Sequence, residues 1–384
     1  DWSSDVCSSD LRGYGSCAGK ACPGVEVVSM DPRVERLAEI LVGYSVDVTS
    51  GDVVMISADP DGLALVQEVY RKVLQRGGYP RLKMSVPGAA RIYYEEASDE
   101  QLGTLLPIEL AEYEASDCLI SVSAPANLSE MANVNPAKLS KRQRAAQPIS
   151  DWVMKSNVRW CGCNFPCNAL AQKAEMSLAE YEQFVFGATN VDWPEISRKQ
   201  EEIVSLFSEG REVRIVGEGT DLKFSIAGRP GINCDGHYNM PDGEVFFSPR
   251  EDSAEGHITF SFPGIYMGRE VEGIRLQFSG GRVVEAHADK NKEFLLEMLN
   301  TDPGAKYIGE FGIGTNPGIT RFTRDILFDE KIGGTVHIAL GQSYPEARGT
   351  NESAIHWDMI ADLREGGEIH LDGVVVQRNG IFLK

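Results

Sequence analysis

The sequence predicts two domains of different class: an α/β domain with a mostly parallel sheet over 30–209, then a β-rich α+β domain over 210–384. Three observations point there. The chain has 384 residues, enough for two domains at roughly 150 residues each. Helical stripes and short apolar runs alternate from Asp31 to about residue 209, the pattern of βα units on a parallel sheet. After Arg211 short alternating segments are separated by Gly, Pro, Asn and Asp, which reads as antiparallel strands.

Residues 1–29 are set apart. The stretch DWSSDVCSSDL at 1–11 looks like translated read-through of a sequencing adapter, a scar to be kept out of fold reasoning. Residues 12–29 show no helical or strand period. The expected start is Met30, because the next residues open a helix. Asp31 can cap it and Pro32 suits its first position. Val34, Leu37, Ala38, Leu41 and Tyr44 then follow helical spacing. A buried strand is expected at 53–56. Leu63, Val66, Val69, Tyr70, Val73 and Leu74 make a second helical stripe, stopped by Gly77 and Gly78. Further strands are expected at 82–86, 118–122 and 158–163, and a helix at 105–113 despite Pro107. Residues 166–209 read as helical, with breaks near Ser177 and Pro194. Beyond 211 the strands are VRIVG, DLKFSIAG, GEVFFSP, GHITFSF, GIRLQFSGGRVVEAHA, GTVHIALG and GEIHLDGVVVQRNGIFL, with one helix at 291–300.

Composition excludes several classes of function. The formal net charge is −20, which argues against nucleic acid and against an anionic membrane surface, since both need a basic footprint. A content of 42% hydrophobic and 24% charged residues is that of a globular chain. No run of about 18 apolar residues occurs, so no membrane-spanning helix is expected. Three of the eight cysteines fall within 1–29. The remaining five form no paired pattern, which suits a reducing cytoplasm. Cys161, Cys163 and Cys167 lack a fourth partner for a structural zinc and read as core thiols.

The chemistry concentrates in the second half. His356 and Asp358 flank Trp357, so on an extended segment they point to the same side. Imidazole with carboxylate suits zinc, cobalt or manganese. An isolated triplet of this kind is more often a surface coincidence. His337, in GGTVHIALG, has a bland reading as a buried neutral histidine. Glu310 in YIGEFGIGTN and Glu244 in PDGEVFFSP are carboxylates among apolar residues and glycines. Burying either one unpaired would cost several kcal/mol or force protonation, and a cation would remove that cost. All of these in one β-rich domain argue for a metal site. The glycines of GEGTD and EFGIGTNPG match no phosphate loop and read as turns.

Three segments carry a resemblance: GTDLKFSIAGRPGINCDGHYNMPDGEVFFSP, YIGEFGIGTNPGITRFTRDILFDEKIGGTVHIALGQSYPE and NESAIHWDMI. They are similar to the aminopeptidase T / aminopeptidase S family of dinuclear metallopeptidases, and the likeness runs from MDPRVERLAEILV at residue 30 to the C-terminus. Residue by residue, the resemblance implies Glu244, Glu310, His337, His356 and Asp358 as ligands of two divalent metal ions, with Glu330 at a further acidic position of the family. It implies Tyr344, in SYPE, as an active-site residue assisting catalysis, and Glu310 or Glu244 as the carboxylate that takes the water proton. It also implies removal of N-terminal residues from short peptides with a free N-terminus, by a homodimer whose active sites open into an enclosed cavity. Two other readings stand beside it: an inactive metal-binding scaffold, and an esterase or amidase for small acyl compounds on the same fold.

Overall fold

The computed structural model describes residues 31–383, so the expectations for 1–29 and for Met30 lie outside the described residues. The first helix, Pro32–Ile40, is capped by Asp31, whose carboxylate accepts from the Arg33 N–H. Its buried residues include Val34, Leu37 and Ala38, the stripe seen in the sequence. The strands Tyr79–Met84, Val53–Ala58, Cys118–Ser123 and Arg159–Asn164 lie side by side in that order, every pair parallel. Leu63–Gln75 supplies Leu65, Val66, Val69 and Val73 to the core against this sheet. Cys161, Cys163 and Cys167 are buried in the same core as free thiols.

Two expected boundaries move. The strand placed at 82–86 runs instead over Tyr79–Met84. It is an edge strand with Leu82 and Met84 exposed, so pairing to Val53–Ala58 rather than apolar burial sets its ends. The helix expected at 105–113 begins at Pro107, because proline at the first helical position loses no hydrogen bond. Three further helices, Ala89–Glu96, Asp99–Gly103 and Pro136–Lys155, leave no apolar stripe to read: two of them bury nothing and the third only Leu102. The helical stretch 166–209 is three helices, Asn168–Lys173, Leu178–Thr189 and Trp193–Ser208. Ser177 caps the second through a reciprocal pair of hydrogen bonds with Glu180.

Among the described residues the second half holds two large antiparallel sheets and a two-stranded one, Gly264–Tyr266 with Arg269–Val271. The larger has eight strands. The smaller orders His356–Asp362, Thr335–Gly341, Ile308–Gly314, Glu244–Phe247 and Ile232–Cys234. They meet in one core: Phe224 of the larger sheet lies against Phe311 of the smaller, ring centroids 5.0 Å apart. The expected helix at 291–300 is Lys292–Leu299. Several elements cross the expected division at residue 210, among them the helix Ile326–Asp329, whose Phe328 joins the first core. Trp193–Ser208 gives Ile203 and Phe207 to the second core, and Asn239–Met240 joins the first sheet beside Arg159–Asn164.

Glycine shapes the smaller sheet at two points. Between Ile308 and Glu310 the ladder to Thr335–Gly341 shifts register, a bulge that takes up one extra residue. Without it Ile308 and Glu310 would share a face. With it Ile308 enters the core while Glu310 turns to the other side. The bulged residue is Gly309, where a Cβ would fall 2.4 Å from the Gln342 carbonyl oxygen. Further along, Gly312 is the cross-strand partner of His337, and a Cβ there would fall 2.0 Å from both Cε1 and Nε2 of that imidazole. Gly312→Ala should therefore displace the His337 ring and lower stability by about 1–3 kcal/mol, the usual cost of overpacking. Thermal unfolding followed by circular dichroism checks this, and a parental melting temperature would mean the imidazole has room to move.

Candidate metal centre

The smaller sheet sorts its residues by alternation. Val245 and Phe247, Phe311 and Ile313, Val336, Ile338 and Leu340, and Trp357 and Met359 all face the second core. The intervening positions therefore face the other way, and among them are Glu244, Glu310, His337, His356 and Asp358. Cross-strand register aligns them: Glu310 pairs with Ala339, Ala339 with Asp358, Gly312 with His337, and Gly314 with Glu244. Segments far apart in sequence thus deliver three carboxylates and two imidazoles to one patch.

Glu310 is at its centre. Its Oε1 lies 3.1 Å from His337 Nε2 and its Oε2 3.4 Å from His356 Nε2. His337 Nε2 is also 3.4 Å from Glu244 Oε2, and His356 Nε2 is 3.5 Å from Asp358 Oδ1. Each imidazole is oriented from behind. Nδ1 of His337 donates to the Glu330 carbonyl at 3.0 Å, and Nδ1 of His356 to the Gln342 carbonyl at 2.8 Å, which leaves both Nε2 atoms facing the carboxylates. Backbone carbonyls behind histidines fix tautomer and ring direction in this way at metal sites. Two donor triplets result, Glu244–Glu310–His337 and Glu310–His356–Asp358, each with ligand atoms within 4.8 Å of one another. Glu310 belongs to both.

The donor set fits divalent cations. Glu244 Oε2 is buried without a hydrogen-bond partner. Glu244, Glu310 and His337 are all buried, and carboxylates with imidazoles suit zinc, cobalt or manganese. A third triplet, Cys234–Asp242–Glu244, also comes together, but both Asp242 oxygens are already taken by the N–H groups of Gly236 and Gly243.

Electrostatics follow from burial. Burial acts to raise the Glu310 carboxyl, yet the hydrogen bonds from His337 and His356 outweigh it and hold the group below its ordinary range. Asp358 is held to about 2, its burial overcome by His356. Burial raises Glu244 beyond what Lys331 and His337 take back, and pushes Glu330 up to about 8. His337 is pushed up to about 10, because the Glu310 hydrogen bond and the Glu244 charge outweigh its burial. Protons on the imidazoles thus occupy the place a cation would take.

Every residue singled out in the sequence lies in this neighbourhood, though not in one shell. Tyr344 follows the strand Thr335–Gly341, its ring edge-on to His356 at 5.1 Å between centroids and 5.2 Å from Phe246. Glu330 stands outside both triplets, its carboxylate paired with the ammonium of Lys331. Lys331 is absent from the sequence reading. It is 0% exposed and also lies 3.5 Å from Glu244 Oε1. A lysine next to a glutamate reads as a solvated pair, and only the glycines and apolar residues after it hinted otherwise. Asp242, fully buried in the turn before Glu244, was also missed.

The chain is similar to several known proteins over most of its length. Aminopeptidase T of Thermus thermophilus is 26% identical over 387 residues, covering 87% of this chain and 93% of that protein. Aminopeptidase 2 of Geobacillus stearothermophilus is 24% identical over 402 residues, covering 90% and 94%. The solved structure of wild-type AmpT from Thermus thermophilus superposes with a TM-score of 0.79 at 25% identity, covering 92% of this chain and 99% of that one. Residues 30–382 match the thermophilic metalloprotease (M29) family, and over that span the chain belongs to it.

Proposed function

We propose that this chain is a metal-dependent aminopeptidase that releases N-terminal amino acids from short peptides. The observation that carries this is the pair of donor triplets sharing Glu310. We assign Glu244, Glu310 and His337 to one divalent cation and Glu310, His356 and Asp358 to a second. Zinc, cobalt or manganese fits this set. Glu330 would join only by leaving Lys331. Bound divalent cations supply Lewis acidity and lower the pKa of a nearby water. The protein's own groups do the rest. Glu310 or Glu244 takes the water proton and returns it to the leaving amine. Tyr344 is 39% exposed and stands where the site opens. A phenol holds its proton at neutral pH, so Tyr344 can donate to the tetrahedral oxyanion. The surplus of buried carboxylates favours a substrate carrying a free α-ammonium group. The names of the relatives support peptide hydrolysis over an inert scaffold or a small-molecule esterase.

We further propose a homodimer in the cytoplasm. Five free cysteines among the described residues, four of them buried, suit a reducing compartment. No helix among the described residues is long and apolar enough to cross a membrane. The edge strand Tyr79–Met84 exposes Tyr79, Leu82 and Met84, with Val86, Ile92 and Ile108 exposed nearby in sequence. Exposed strand edges and apolar patches call for cover, and two-fold pairing is the commonest form of it.

Four outcomes are expected. Leucine-p-nitroanilide should be hydrolysed and its N-acetylated form spared. Exhaustive EDTA should abolish turnover, and zinc, cobalt or manganese should restore it; activity that survives chelation would sink the metal assignment. Tyr344→Phe should lower kcat by about 10²–10³, the usual loss for one oxyanion donor, with metal content by elemental analysis unchanged; turnover at the parental rate would make Tyr344 structural. Light scattering should give about twice the 42.1 kDa chain mass, and a monomer that trims a folded protein from its N-terminus would refute the closed-dimer reading.

A further inference from the structure

The helix Trp193–Ser208 buries Trp193, Ile196, Gln200, Ile203 and Phe207. That alternation of three- and four-residue steps is an apolar stripe with one amide in the middle of it. Phe207 seats the helix against the second core, 5.5 Å from the Phe247 ring between centroids. Packing alone would favour Leu or Ile at position 200. A glutamine there is costly unless every polar atom is matched, and it is not: Gln200 is 0% exposed and its Oε1 has no partner.

Its Nε2, by contrast, is heavily used. It lies 3.0 Å from the Glu244 carbonyl oxygen, 3.1 Å from that of Cys234 and 2.9 Å from Thr315 Oγ1. Cys234 and Glu244 are register partners, and Glu244 also pairs with Gly314, next to Thr315. One amide therefore ties together the ends of three neighbouring strands at the level of Glu244, and two of those strands carry Glu244 and Glu310. A buried polar group that breaks the local pattern without a packing gain is expected at functional sites.

We infer that Gln200 is a positioning residue for the metal centre: it fixes the backbone of Glu244 relative to Glu310 so that both carboxylates meet one cation. This rests on the assignment of Glu244 as a ligand. The test uses the full chain, with zinc affinity measured by competition against a fluorescent zinc chelator and melting temperature measured on the metal-free protein. Gln200→Leu should raise the zinc Kd by about 10–100-fold, the usual effect of removing an outer support of a metal site, while the metal-free protein melts no lower than the parent. Gln200→Met, of similar length, should behave the same way. Unchanged zinc affinity in either variant overturns the inference. So does a lowered melting temperature in both, which would make Gln200 an ordinary structural clamp. Glu244→Gln separates the two levels. If it binds zinc as the parent does, the ligand assignment falls and the clamp with it. If it loses zinc while Gln200→Leu keeps it, only the clamp falls.

Discussion

Everything in the second half of this molecule answers to one constraint, the burial of Glu310. Its carboxylate sits on a strand whose seven residues are all buried. A buried carboxylate without partners would cost several kcal/mol or take up a proton. Here two imidazoles reach it, one on each oxygen. The sheet is built so that they can. The bulge at Gly309 turns Glu310 away from the core, Gly312 leaves the volume that His337 fills, and two backbone carbonyls aim the histidines. Neighbouring Glu244 is less well matched, with Lys331 beside one oxygen and the other 3.4 Å from His337 Nε2 without a hydrogen bond. Among the described residues four carboxylates, those of Glu244, Glu310, Glu330 and Asp358, face one permanent cation, Lys331. That imbalance is the physical reason to expect further positive charge in the site.

The parts of this arrangement that were legible in the sequence are those with local signals. Short segments set off by turn residues found the strands that carry Glu244 and His337, and the His356–Trp357–Asp358 triplet showed its shared face directly; the glycines of EFGIGTNPG read as turns, yet they lie in and after the strand Ile308–Gly314 that carries Glu310. Capping chemistry located the helix after Asp31, and the break expected near Ser177 falls where that residue caps Leu178–Thr189. The assignment of the five residues to one site came from the likeness of the long C-terminal segments to a known family. It did not come from spacing, because nothing in the spacing of residues 244, 310, 337 and 358 says that their strands are neighbours. Register does, and register is fixed by non-local pairing.

What escaped the sequence reading shares one property: its role depends on a neighbour distant in the chain. Lys331 becomes a buried counter-ion only when Glu244 arrives from almost ninety residues away. Gln200 reads as one more polar residue of a charged helix until the strands ending at Cys234, Glu244 and Thr315 converge on it. The helix Pro136–Lys155 was missed for the opposite reason. It buries none of its residues, so it has no stripe to betray it. Asn135 and Pro136 at its start were the available signal, since Asn caps and Pro opens helices.

The division between rigid and accessible parts of the site follows the same logic. The residues proposed as ligands lie on strands of a five-stranded sheet, Glu310 and His337 on adjacent ones with neighbours on both sides, where backbone hydrogen bonding leaves little freedom of position. Sites on such elements hold geometry better than sites on loops. Tyr344 is placed differently. It sits beyond the end of its strand, at a turn, with its ring leaning on His356 and Phe246 and part of its surface open. Holding cations demands fixed donors. The role proposed for Tyr344, to meet each incoming peptide and then release it, suits a place at the rim, just past the point where the chain leaves the sheet.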